Sequence, residues 1–218
     1  MRIRIKRSLV TVVLVLAWGL FSTSACAADA YYMIVFAYQG KLNLPKQSHT
    51  FATFIKVPED DAGQPDLGRL ESHTISWVAA TPKIILLRPR PEPGVNLDLA
   101  ATLQLAASQK AEISAWGPYR IQKDVYDRAL AQIDHLNSGK VQYKALDGTL
   151  RPIVATNCIH AISDMVEGPL LDTGTAFGNP ASEMVRDHLA RWIVDSKTTH
   201  RFLIAPLGLN NYTVNYRD

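Results

Sequence analysis

The segment Tyr31-Tyr32-Met33-Ile34-Val35-Phe36-Ala37-Tyr38 limits the fold more than any other stretch of this chain. It is apolar throughout, rich in aromatic and β-branched side chains, and closed by Gly40. A run of this length and composition, bounded by a turn residue, reads as a buried strand. The segment 49–57 alternates, so His49, Phe51, Thr53, Ile55 and Val57 share one strand face. A loop rich in Asp, Pro and Gly at 58–68 leads to a further strand at 71–79, with His73, Ile75 and Trp77 on one face. A short strand is expected at 83–87. A stiff extended loop follows at 88–94, where Pro89, Pro91 and Pro93 bias their predecessors away from helix.

The second half carries helical periodicity. Asn96 is placed to cap a helix over 97–109 with Leu99, Leu103 and Ala106 on one stripe. Residues 115–121 read as strand or turn. Residues 123–136 form an amphipathic helix through Val125, Ala129, Ile133 and Leu136. A strand at 141–146 ends in the turn Asp147-Gly148. Asn157 is a cap for a helix over 158–166. Asn179, followed by Pro180, starts another helix, with Val185, Leu189, Trp192 and Ile193 as its stripe and Asp187 paired to Arg191 outside. Closing strands are expected at 202–204 and 212–216. Strands gathered first and helices later argue for one α+β domain over 31–218, an antiparallel sheet with packed helices, rather than a parallel α/β sheet.

The first thirty residues read as an export signal. Arg2, Arg4, Lys6 and Arg7 precede an apolar run at 9–21, which is shorter than the roughly 20 residues a spanning helix needs. Ala25 and Ala27 form an A-x-A cleavage pattern, so cleavage is expected after Ala27, with Ala30 as a later alternative. Lipid attachment at Cys26 is the weaker alternative, because Thr23 is a poor residue three positions earlier. The chain is thus expected to work in the periplasm or as a secreted protein. Removing 1–27 takes the formal charge from +3 to −1 and leaves 191 residues. The basic balance belongs to the leader, so it gives no argument for nucleic-acid binding. No later stretch is apolar for long enough to be a stable transmembrane segment.

Cleavage also removes one of the two cysteines. Cys158 is then alone, which leaves an intermolecular bridge, an inert buried thiol or a reactive one. Its place after the cap Asn157 favours reactivity: free N–H groups at a helix start stabilise a thiolate and can hold an oxyanion. A cysteine nucleophile needs a base. His160, two residues on, falls on the other side of the helix and is expected to pair with Asp164. His135 suits the C-terminal dipole of its helix, and His188 borders an apolar stripe. His49 and His73 recur in the same local sequence, Ser-His-Thr, on strand faces shared with large apolar residues.

Asn157-Cys158-Ile159-His160 resembles the N-C-x-H motif of the permuted papain-like cysteine enzymes, which include lecithin:retinol acyltransferase-like proteins and permuted NlpC-type cell-wall hydrolases. In that group an early strand supplies the base, a neighbouring strand supplies an orienting residue, and the cysteine starts a later helix. The resemblance implies a permuted papain-like fold with Cys158 as nucleophile, His49 as base and His73 as orienting residue. Ile159 and Ala161 stand where the family usually has an acidic and an aromatic residue. If the two strands meet at a turn near 61–63, His73 falls opposite Phe51 and close to His49. If the loop closes otherwise, the histidines sit apart and Glu71 or a loop residue must serve. A second arrangement takes His200 as base with Asn210 or Asn211.

No zinc-spaced cluster, P-loop, G-x-G-x-x-G or G-x-S-x-G occurs. Asp60, Asp61 and Asp66 read as an acidic surface loop, and Trp77, Trp116 and Tyr119 as core rather than a groove. The expected activity is hydrolysis or acyl transfer at an amide or ester of a cell-wall peptide, a lipid or a small molecule, with no cofactor and no metal. The alternative is an envelope binding or structural protein of papain-like shape without the chemistry.

Overall fold

In the computed structural model, residues 29–42, 44–60, 62–81, 84–147 and 155–217 are described. The expected leader, its cleavage site and Cys26 lie outside them. Strand β1 (Asp29–Gln39) is buried from Ala30 to Tyr38, as its lack of a polar face requires. It sits in the middle of a five-stranded sheet. β2 (Ser48–Pro58) pairs antiparallel on one side, with Phe36 opposite Phe51 and Tyr38 opposite His49. β3 (Glu71–Ile75) extends beyond β2, and two further strands of this sheet come later in the chain.

Two short strands and a helix follow. β4 (Trp77–Ala79) and β5 (Glu92–Asn96) pair antiparallel and begin a second sheet. Helix α1 (Leu99–Ser108) leads to β6 (Glu112–Arg120), which flanks β1 opposite β2. Helix α2 (Lys123–Asn137) precedes β7 (Gln142–Tyr143) and β8 (Ala155–Thr156), which complete the second sheet in the order β4-β5-β7-β8. Helices α3 (Cys158–Ser163) and α4 (Asn179–His188) follow, and β9 (Val214–Arg217) closes the first sheet beside β6. The fold is mixed α+β with two sheets. The pairings β6–β9 and β7–β8 are parallel, which departs from the all-antiparallel expectation.

Each face of β1 feeds its own core. Met33 and Val35 join Phe54, Ile75 and Trp77 under α2, α3 and α4. Ile34 and Phe36 join Phe51, Ile55 and Leu103 under α1. Burying each such side chain stabilises the fold by about 1.5–3 kcal/mol.

The expected strand 71–79 is in fact two strands that part at Ser76. Asn96 makes the break. Its Oδ1 accepts from Ser76 N at 2.8 Å, and its Nδ2 donates to Thr74 O at 2.8 Å. Asn96 is therefore not the cap of α1; Asp98 is, accepting from Ala101 N at 2.7 Å. The expected loop 88–94 contributes Glu92, Pro93 and Gly94 to β5, where Gly94 lies against the Trp77 indole. No strand forms at 84–87, and Lys83 lies outside the described residues. A 3-10 turn at Arg201–Leu203 replaces the strand expected at 202–204. Asp187 pairs with Arg186 at 2.6 Å, while Arg191 instead lies 3.8 Å over the Trp192 ring. Among the described residues no helix is long and apolar enough to cross a membrane.

Candidate functional site

The first turn of α3 is built as its sequence predicts. Asn157 has extended backbone and its Oδ1 accepts from His160 N at 2.8 Å, capping the helix. Cys158 is half-buried beside the α2–α4 core. Three backbone N–H groups are directed at its sulfur, those of Cys158, Ile159 and Thr50. The last comes from β2, opposite Ala37 of β1. An N–H aimed at the sulfur cannot also serve the β1 ladder, so Thr50 points its donor outward from that pair. β3 covers β2 only as far as Ala52, opposite Ile75, so the edge beyond is open.

His49 is the residue before Thr50. Its ring lies with Phe51 and Tyr38, at centroid distances of 5.8 Å and 5.2 Å, on the α1 side of the sheet. Its Nε2 is 2.9 Å from Ser76 Oγ. Because Ser76 stands at the break, this bond draws the imidazole toward the same open edge. His49 is thus tied to Ser76, and Cys158 to the Thr50 amide beside His49 in the chain. No hydrogen bond among the described residues joins Cys158 to a histidine, and none engages His49 Nδ1.

Protonation follows from burial. Desolvation lowers His49 to about 3 and outweighs every other influence on it. Desolvation likewise pushes the Cys158 thiol up to about 11, against the opposing pull of the three amides. Tyr38 and Tyr143 are raised by burial and then by the nearby Cys158, which places both phenols around the thiol. At neutral pH the resting site is uncharged, with its proton on sulfur.

A polar network behind α3 was not visible in the sequence. Asp147 is almost fully buried. Its carboxylate accepts from Asn157 Nδ2 at 3.0 Å and Asn157 N at 3.3 Å, and its Oδ2 is 2.5 Å from His160 Nδ1. His160 Nε2 lies 2.9 Å from Leu171 O. Both ring nitrogens of His160 are therefore engaged. His160 thus holds Asp147 and the Leu171 loop together, with neither nitrogen left over as a base. Asp147 is a partner of this ring that the sequence did not suggest.

The other candidates are placed elsewhere. His73 stands opposite Phe54, with its ring 6.0 Å from Tyr126. Phe54 is five positions along β2 from His49, about 16 Å at 3.3 Å per residue. Among the described residues no hydrogen bond or ring contact joins Cys158 to His49 or to His73, and Ser76 is the hydrogen-bond partner at His49 where His73 was expected. Glu71 is 3.3 Å from Lys56 at the far end of the sheet. His200 packs edge-on to Tyr32 and Phe202 and is lowered by burial, on the α1 side. Trp77, Trp116 and Tyr119 are buried core. Among the described residues no group of three His, Cys, Asp or Glu side chains could hold a metal ion.

Ser76 and Asp147 carried no motif. Ser76 acts because Asn96, twenty positions later, breaks the strand there. Asp147 acts across ten and thirteen positions, from a turn whose sequence signals only a turn. Compared with known proteins, the chain matches no family model, no curated protein and no solved structure.

Proposed function

We propose that this chain is an exported thiol enzyme, hydrolase or acyltransferase, acting on an amide or ester in a permuted papain-like arrangement. The observation that carries the reading is the pair His49-Thr50 on β2. The Cys158 sulfur rests on the Thr50 amide, and the adjacent His49 is held by Ser76 with Nδ1 uncommitted. In the reaction, Cys158 sulfur attacks the carbonyl carbon while His49 Nδ1 takes the thiol proton. The carbonyl π pair moves to oxygen, then returns as the leaving amine or alcohol departs with the proton from His49. Water or another acceptor releases the acyl group from sulfur by the same steps in reverse. Ser76 takes the orienting role, accepting the Nε2 proton of His49 in a hydrogen bond. The amides at the sulfur are placed for charge that develops beside it.

A second reading, a binding or structural protein without the chemistry, draws on the direction of both titrations. A thiol near 11 and an imidazole near 3 oppose proton transfer in the resting site. Alkylation by iodoacetamide from pH 6 to 11 separates the two. Base assistance makes Cys158 react at pH 7 and slows it about tenfold or more in His49→Ala. A rate that simply tracks the thiolate of an alkaline thiol and ignores His49→Ala leaves the second reading.

A further inference from the structure

Two hairpin tips leave apolar side chains in solvent. The first, 40–47, joins β1 to β2, and the second, 80–91, joins β4 to β5. Leu87 and Leu42, at 83% and 77%, are the most exposed large apolar residues among those described, and Leu44 and Ile85 stand exposed beside them. One exposed leucine is ordinary, but two such pairs on neighbouring tips make a patch. The feet of the tips meet around Tyr38. His49, opposite Tyr38 at the foot of the first, is 2.9 Å from Ser76 Oγ, and β4 starts at the next residue. Tyr143 stands opposite Glu92 at the foot of the second, and its phenol is raised first by burial, then by Cys158 and Tyr38. Glu92 is 2.9 Å from Arg88 and 2.5 Å from Thr81 Oγ1, which anchors that tip on both sides.

Charge points to the partner. Between them the tips hold Lys41, Lys46, Lys83, Arg88 and Arg90 and no Asp or Glu, while the chain beyond its leader has a formal charge of −1. Lys41, Lys46 and Arg90 are exposed. Leucines ringed by cations match a lipid bilayer, whose acyl region takes the apolar groups while anionic headgroups meet the cations. A second copy docking through the same face sets like charges against each other.

We infer that the two tips form a docking surface for an anionic lipid bilayer, into which Leu42, Leu44, Ile85 and Leu87 insert while the flanking cations meet the headgroups. Docking needs neither Cys158 nor His49 to be active, so the inference stands apart from the thiol-enzyme reading.

The test is co-sedimentation of the mature protein with vesicles of phosphatidylcholine, with and without about 30% phosphatidylglycerol. Binding to the anionic vesicles is expected to be about tenfold tighter or more, and to weaken as salt rises from about 0.1 to about 0.5 M and the screening length contracts. Lys41→Gln with Lys46→Gln weakens it about tenfold or more, each cation at an anionic surface contributing about fivefold. Leu42→Ser with Leu87→Ser weakens it about tenfold or more through lost insertion, with the urea midpoint unmoved because both positions are exposed. Leu87→Trp adds an emission that shifts to the blue when anionic vesicles are added. Val194→Ser, at a position 60% exposed whose amide donates to Arg120 O, across from Tyr32 at the other end of β1, leaves binding unchanged. Absence of binding to anionic vesicles, indifference to the leucine pair, or an equal loss in Val194→Ser overturns the inference. So does a dimer in sedimentation velocity that the leucine pair abolishes while vesicles go unbound. The thiol reading fails separately, by His49-independent alkylation of the wild-type protein, and vesicle binding is then unaffected.

Discussion

His49 is a histidine that stays neutral because of where it sits. Its imidazole is lowered to about 3, so below the ordinary range the unfolded chain takes up a proton that the folded protein refuses. Stability contributed by the neutral ring is therefore complete above about pH 6.5 and falls as pH drops toward 3, by a few kcal/mol in all. Urea unfolding of His49→Gln should show a flatter acid limb than the wild type between those values. The thiol has the opposite sign. Raised to about 11, Cys158 contributes stability that is full below its unfolded value and fades as pH climbs through 11. Asp147 concerns architecture rather than titration. Asp147→Asn weakens the contacts to His160 and Asn157 and should cost about 3 kcal/mol in urea unfolding, a typical loss when one partner of a buried charge contact is removed. The residues of this site were unevenly legible. Cys158 and its cap Asn157 are neighbours in sequence and announced themselves. Ser76 and Asp147 act on partners far along the chain, where no local pattern reports them.

At the scale of elements, sequence periodicity served wherever a segment's own pattern decided its fate. β1, β2, α2 and the start of α3 follow directly from run, alternation, stripe and cap. The pattern from 71 to 79 is continuous, and only the side chain of Asn96 divides it. β5 escaped notice for a related reason. Pro93 and Gly94 signal a loop, yet the Trp77 indole requires a residue without a side chain beneath it. A Cβ on Gly94 would lie 2.0 Å from Trp77 Cζ2. Gly94→Ala should therefore displace Trp77 and destabilise the protein by about 1–3 kcal/mol, seen as a lower urea midpoint and altered tryptophan fluorescence. Asp98→Ala, which only uncaps α1, should cost about 1 kcal/mol and leave that fluorescence unchanged.

Across the whole molecule, β1 is the shared wall of both cores and the strand with most to lose on opening. Its amides should be the slowest to exchange with deuterium, and those of β9, exposed at alternate positions on the sheet edge, among the fastest of the first sheet. The order of synthesis gives this position a further meaning. β2 follows β1 closely and covers one edge, but β6 begins at Glu112, far down the chain from Gln39. At translation rates of roughly 5–20 residues per second, the other edge of the most apolar strand waits several seconds for its partner. Stalled nascent chains ending before Glu112 should be held by chaperones or lost to aggregation, while chains extended past Arg120 should resist protease. Making this protein thus depends on whatever shields β1 during that interval.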